Sequence, residues 1–163
     1  MLSTNEKRLN YILSLHRAGV VDVVPGSIHE TAVIDKCVEI GEGCSVGPLA
    51  VLGFMSVGAE FDENGHLVRF PQTGAVKICT DVTVMAGAMV DRSTNDDNET
   101  IIGERSILGP QCHVGHNVVI GTDTLILGQV QIGGGSIIGS RCMIGQSSII
   151  MHKVKIGNGV IVG

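Results

Sequence analysis

A chain of 163 residues with a formal net charge of −5 and no run of Lys or Arg has the length of one domain. It lacks the basic footprint that nucleic acid requires and is poorly matched to an anionic membrane. No stretch is long and apolar enough to read as a secretory leader or a membrane span, so the expected setting is cytoplasmic. Its 44% hydrophobic content comes with three Phe, one Tyr, no Trp and 23 Gly, so the core has to be aliphatic and the chain must reverse often.

In chain order, Asn5 to Arg17 predicts a short helix with Leu9, Ile12 and Leu13 on one side and Gly19 as its stop. Val20 to Ile28 follows as an extended lead-in turned by Pro25-Gly26. Residues 1–27 are thus expected to form a helical cap and lead-in, and 28–163 a repeat domain. From Ile34 a large aliphatic recurs every six residues: Ile34, Ile40, Val46 and Leu52, then Ile78, Val84 and Val90, then Ile102 and every sixth residue to Val162. Two polar insertions, at about 57–75 and 93–100, interrupt the pattern. Four residues after each aliphatic stands a small residue, Ser56 and Thr94 among them, and nothing there exceeds Val in size. The residue directly after the aliphatic is Gly in nine of the eleven units from 102 to 162. Glycine is expected at that point because a corner there has no room for a side chain or needs a positive φ.

A period of six is neither helical nor simple alternation; it is a short strand and a turn repeated, the mark of a hexapeptide β-solenoid. Three units close a triangular coil, so residues three units apart stack directly on one another at a spacing of about 4.8 Å. Large aliphatics fill the axis, with the small residues beside them. Of the five cysteines, Cys44, Cys112 and Cys142 fall on the small inward position, where a free thiol acts as a small hydrophobe. With Cys37 and Cys79 they form no Cys-x-x-Cys, so no metal is expected.

Insertions leave a solenoid at its corners and are where such folds place function. His116 lies two residues past inward Val114, beyond the corner at Gly115, and so faces outward as a general base could. One coil on in the same column is Gly134, within Gly133-Gly134-Gly135. Two coils on is His152, about 10 Å from His116 by strand spacing. His113 is on the same corner but off that column.

The Gly53-Phe54 stretch with Arg69-Phe70-Pro71-Gln72, then Val90-Asp91-Arg92, Gly115-His116-Asn117-Val118-Val119-Ile120-Gly121, Gly128-Gln129-Val130 and Cys142-Met143-Ile144-Gly145 resemble the UDP-3-O-acylglucosamine N-acyltransferases, over about residues 28–163. The resemblance implies an all-β, left-handed parallel β-helix, assembled as a homotrimer with sites between subunits. It also implies transfer of an acyl group from a thioester, on acyl carrier protein or coenzyme A and with no bound cofactor, to the amino group of a nucleotide-linked sugar of the lipid A or surface-polysaccharide type. On it, His116 is the base and Gly134 supplies the oxyanion-binding N–H, while Asn117, His152, Lys153, Gln129, Asp91 and Arg92 bind substrate. The sequence departs from the family in three places. The short segment before the first repeat holds no counterpart of its uridine-binding domain. Gly109 stands for its upstream Asp, and Lys153 for its second His. Three alternatives remain open beside this reading. They are acetyl transfer to another sugar, a γ-carbonic-anhydrase-like metal enzyme, which His113, His116 and His152 suit poorly in spacing, and a catalytically silent structural trimer.

Overall fold

The computed structural model describes Ser14 and residues 26–163. Of the N-terminal helix and lead-in, nearly all lies outside the described residues. From Val33 on, short strands follow one another around three flat faces, each a six-stranded parallel sheet. The first face contains Val33–Ile34, Val51–Phe54, Met89–Asp91, His113–Val114, Gln131–Ile132 and Ile149–Ile150. The second face runs through Val38–Ile40, Ala75–Ile78, Glu99–Ile102, Val119–Ile120, Ile137–Ile138 and Lys155–Ile156. The third is built from Ser45–Val46, Thr83–Val84, Ile107–Leu108, Leu125–Ile126, Met143–Ile144 and Ile161–Val162. The architecture is the left-handed parallel β-helix.

Stacking three units on holds wherever the coil is uninterrupted, as in His113 over Gln131 over Ile149. Across the longer insertion Val51 pairs with Met89, and across the shorter one Met89 pairs with His113, so pairing resumes in register. Both insertions leave at the same corner, between the first and second faces. The longer one carries an antiparallel hairpin, Ala59–Phe61 with Leu67–Arg69, closed at its base by the buried Gln72, whose Oε1 accepts the Ser56 amide at 2.7 Å.

The axis is the expected column. Leu52, Ile78, Ile102, Leu108, Ile120, Ile126, Ile132, Ile138 and Ile144 are fully buried. Burying such side chains supplies roughly 1.5–3 kcal/mol each, which is how a chain nearly free of aromatics sustains a core. The small inward residues do more than leave room. Ser106 Oγ donates to the Gly121 carbonyl and accepts from the Thr124 amide, while Thr124 Oγ1 donates to Gly139 and accepts from the Cys142 amide. At Ser106, Thr124 and Ser136 the inward hydroxyls thereby join one coil to the next and satisfy their own donors, whereas the buried Ser148 Oγ finds no partner among the described residues.

Two expectations need correction. Among the glycines after the aliphatics, Gly53, at the exit of the longer insertion, has a positive φ, at 85°, but those from 102 onward do not. A Cβ there would lie 2.5–2.6 Å from the next coil at Gly103, Gly109, Gly121, Gly133 and Gly139, so close backbone approach demands it. The left-handed conformation falls two residues later, on Leu49, Asp81, Arg105, Gln111, Asn117, Asp123, Gln129, Arg141, Ser147 and Lys153, at φ 54–61°. Non-glycine residues adopt it at a cost on the order of 1 kcal/mol. Here the corner is held because each such amide donates to the coil before, as Asp123 does to the Glu104 carbonyl at 2.8 Å and Arg141 to Thr122 at 2.9 Å. The second correction is at the insertions. Ser56 and Thr94 are not the small inward residues of their turns; Val76 and Thr100, both fully buried, take that place after each insertion has returned. The strand irregularity between Leu52 and Phe54 marks where the chain departs.

Candidate active site

The corner that releases both insertions also holds His116. Beside it lies a cleft of about 260 Å³ on the first face, lined by Ser56, His113, His116, Gln131, Gly134 and His152, with Ile149, Ile150 and Met151 as an apolar wall. His116 and Asn117 are half-buried, His152 is exposed and Gly134 is buried.

The state of His116 follows from its neighbours. Its Nδ1 is 2.9 Å from Asn117 Oδ1. The same Asn117 atom faces the Thr94 backbone amide at 3.2 Å and the Thr94 hydroxyl at 3.1 Å. A backbone N–H can only donate, so the Asn117 atom facing it is the carbonyl oxygen. The His116 nitrogen against that oxygen must then be the protonated one. The lone pair is on Nε2, which is the arrangement a general base needs. Asn117 is itself fixed by its left-handed turn, φ 59°, and by its amide donating to the buried Thr100 Oγ1 at 2.9 Å.

Nε2 stands over Gly134. A Cβ at that glycine would come too close to His116 Nε2, so any side chain at 134 would push the ring away. Among the described residues neither the His116 amide nor the Gly134 amide donates a hydrogen bond. The equivalent amides at the next corner are occupied. Thr122 N–H donates to Ser140 Oγ at 3.1 Å, and Ser140 N–H to Asn158 Oδ1 at 2.8 Å. The column of His116, Gly134 and His152 offers no such acceptor one coil on. Among the described residues, amides at this position of the repeat are also unpaired at Glu104, Gly128 and Gln146; those of His116 and Gly134 differ in flanking the cleft, where a developing oxyanion could receive them.

His113 belongs to the cleft more closely than its place off the column suggested. Its Nε2 is 2.8 Å from Oδ2 of the buried Asp91. That hydrogen bond, opposed by burial and helped by the charge of Asp91 and by Gln131, raises the pKa of the imidazole above its ordinary value. The partnership was hidden in the sequence because the 93–98 loop lengthens the coil between them. With that loop set aside, Met89 stacks on His113 and Asp91 falls just beyond Val90. Arg92, expected among the substrate-binding residues, is held elsewhere. Its Nη2 is 2.6 Å from Asp35 Oδ1 and its Nε donates to the Gly53 carbonyl at 2.7 Å, joining three coils. Gln129 is at a different corner, in a ladder with Gln111 and Ser147. Lys153 is exposed on the far side of the triple-glycine turn. Neither Gln129 nor Lys153 lines the cleft, and Ser56 and Gln131, which do, were not singled out in the sequence.

The buried thiols are inert by position, with burial pushing Cys112 up to about 12. Among the described residues no three His, Cys, Asp or Glu side chains gather into a metal-binding group, and no helix is long and apolar enough to cross a membrane.

Residues 99–134, which hold His116 and Gly134, match the family model described as bacterial transferase hexapeptide (six repeats). Those residues carry the hexapeptide repeat that this model describes. Over 105 residues it is 39% identical to the UDP-3-O-acylglucosamine N-acyltransferase of Nitrobacter hamburgensis, an alignment covering 64% of this chain and 27% of that one. Over 101 residues it is 36% identical to a probable mitochondrial UDP-3-O-acylglucosamine N-acyltransferase 2 of Arabidopsis thaliana, covering 62% and 32%. The alignments thus span only about a quarter to a third of the length of these relatives. Among solved structures it superposes on LpxA, a UDP-N-acetylglucosamine acyltransferase from Bacteroides fragilis. The TM-score is 0.61 at 21% identity over 83% of this chain and 56% of that one. The superposition shows a shared fold with that structure, and His116 and Gly134 lie inside the repeats the family model matches.

Proposed function

We propose that this hexapeptide-repeat protein is an acyltransferase that moves an acyl group from a thioester to the amino group of a nucleotide-linked sugar, with His116 as general base. The observation that carries the proposal is the His116 ring, fixed by Asn117 so that Nε2 is free, standing over Gly134 beside two open amides. Acyl transfer needs that pair of functions, a base for the attacking group and donors for the oxyanion, and no covalent enzyme intermediate.

In the reaction, the acceptor amine attacks the thioester carbonyl as Nε2 takes its proton. The carbonyl oxygen gains charge and is received by the Gly134 N–H. Collapse of the tetrahedral species breaks the carbon–sulfur bond, and the imidazolium returns the proton to the departing thiolate. The products are an amide and a free thiol. Ile149 and Met151, 70% and 65% exposed, offer apolar surface to an acyl chain at the cleft wall. His113, with Asp91 behind it, suits a phosphate or hydroxyl of the acceptor. Acyl carrier protein or coenzyme A can deliver the thioester, and the relatives' names support a UDP-linked acylglucosamine as acceptor; lipid A or surface-polysaccharide synthesis is the setting that the sequence resemblance implies.

We further propose a homotrimer. Apolar residues stand outward on every face, with Ile137, Met143 and Ile161 at 41%, 40% and 75% exposure, and association around a three-fold axis would cover part of them. The test is a screen of acyl-coenzyme A and acyl carrier protein thioesters against UDP- and dTDP-amino sugars, reading free thiol and N-acylated product. Light scattering gives the mass in solution. Thiol release that requires an amino sugar and disappears in His116→Ala supports the reading; full activity in His116→Ala refutes it.

A further inference from the structure

The short loop between the first and second faces is bound tightly to itself and to the exit of the longer insertion. Ser93 Oγ donates to the Asn95 carbonyl at 3.1 Å and approaches the Asn98 carbonyl. Asn98 Nδ2 donates to Asn95 Oδ1 at 2.6 Å. The amides of Thr73, Gly74 and Ala75 donate to the carbonyls of Thr94, Ser93 and Asn98, each at 3.3 Å. Gly74 is needed for that fit, since a Cβ there would meet the Ser93 hydroxyl and the Asn95 carbonyl.

What this frame presents is Thr94. Its hydroxyl has two acceptors within reach, Asn117 Oδ1 at 3.1 Å and Asn95 Oδ1 at 3.3 Å, and one hydrogen to give. The nearer of the two is Asn117 Oδ1, where the hydroxyl joins the amide of its own residue. With the Thr94 amide on the same oxygen, two donors from one loop residue hold the Asn117 carbonyl turned toward His116 Nδ1. Without them the amide could rotate and present its NH₂ to the imidazole. Nε2 would then take the proton and the lone pair would move to Nδ1, away from the cleft.

We propose that Thr94 is a positioning residue for His116, the loop at 93–98 setting through Asn117 which imidazole nitrogen carries the proton. This rests on the reading of His116 as the base, but its decisive test does not require turnover. In protein with ¹⁵N-labelled histidine, the ring-nitrogen shifts of His116 report its tautomer directly, assigned by comparison with His116→Ala. The parent is expected to show Nδ1–H with Nε2 unprotonated. Thr94→Val and Thr94→Ala, which remove the hydroxyl, should add a population with Nε2–H, and Thr94→Ser should restore the parental spectrum. Turnover, where the thioester screen detects it, should fall about three- to tenfold in kcat at constant KM for the first two variants. Parental tautomer in both Thr94→Val and Thr94→Ala, with melting unchanged, would overturn the proposal. A tautomer shift in a protein that transfers no acyl group would leave Thr94 in its positioning role and sink the acyltransferase reading alone.

Discussion

Two corners of the same coil, one holding Thr122, Ser140 and Asn158 and the other His116, Gly134 and His152, share a backbone and differ in almost everything chemical. At the first, Ser140 and Asn158 accept the amides of Thr122 and Ser140 one coil before them, so that stretch of the corner is hydrogen-bonded. At the second, Gly134 has no side chain and His152 puts no acceptor on the amide before it, so the donors of His116 and Gly134 stay open. The solenoid therefore leaves these two amides open by omitting two short polar side chains that it uses next door. The same omission makes room for the imidazole, since the space over Gly134 is where Nε2 sits.

The largest expected effect comes from removing the base. His116→Ala should lower acyl transfer by roughly 10² to 10⁴ while the melting temperature reports less than about 1 kcal/mol of change, because the ring takes no part in the core. A more pointed variant converts the open corner into the closed one. His152→Ser sets a hydroxyl in the relation to Gly134 that Ser140 has to Thr122. It should capture the Gly134 amide and cost about 10²-fold, the weight of one oxyanion donor. His152→Ala, which leaves the amide open, should lose far less, and equal losses in kcat would end the comparison.

Glycine-to-alanine changes separate the corners by kind of damage. Gly121→Ala drives a Cβ to 2.6 Å from the Ser140 amide nitrogen and should destabilise the fold by about 1–3 kcal/mol in denaturant titration. Gly134→Ala meets the movable His116 ring instead, and should show in turnover before it shows in stability. Smaller still is Ser140→Ala, which strips the acceptor from the Thr122 amide. It should cost on the order of 1 kcal/mol of stability and nothing in activity.

The last effect is one of pH. His113 has its pKa raised by Asp91, so the folded chain holds that proton more tightly than the unfolded one. The stabilisation is complete below the ordinary histidine value of about 6.5 and is lost as pH climbs through the raised value. The difference in melting temperature between the parent and Asp91→Asn should therefore shrink from about pH 6 upward, and a difference that grows would contradict the assignment.

How much of this was legible beforehand depended on whether a residue's role is periodic. Ile132 and Ile138 could be placed in the lumen from spacing alone, because a triangular coil admits one large side chain per side. His116 and Gly134 could be aligned because three repeat units make a coil and no insertion separates them. The pairing of Asp91 with His113 escaped because the loop between them shifts the count by one full unit. The pairing of Thr94 with Asn117 escaped because Thr94 looked like an inward residue until Thr100 proved to hold that place. Gln129 was carried to the site by its motif, yet its position in the repeat unit sets it on another corner. The reason for glycine after each aliphatic was half right: the corner is crowded, but the strained φ sits two residues on, where Asp, Asn, Arg and Gln tolerate it under hydrogen-bond restraint.

The exit of both insertions through one corner has a consequence for how such a molecule can be altered. Leu52 meets Val90 across the hairpin insertion and Val90 meets Val114 across the shorter loop, each in the same inward register, so the coil tolerates different lengths of looped-out chain. Lengthening a surface loop costs little, about 0.6 kcal/mol for each doubling. The hairpin between Ser56 and Gln72 is thus a cassette plugged into a fixed spine, and exchanging it for one of another length should retune what the histidine corner accepts while the column of Ile and Val beneath it goes unchanged.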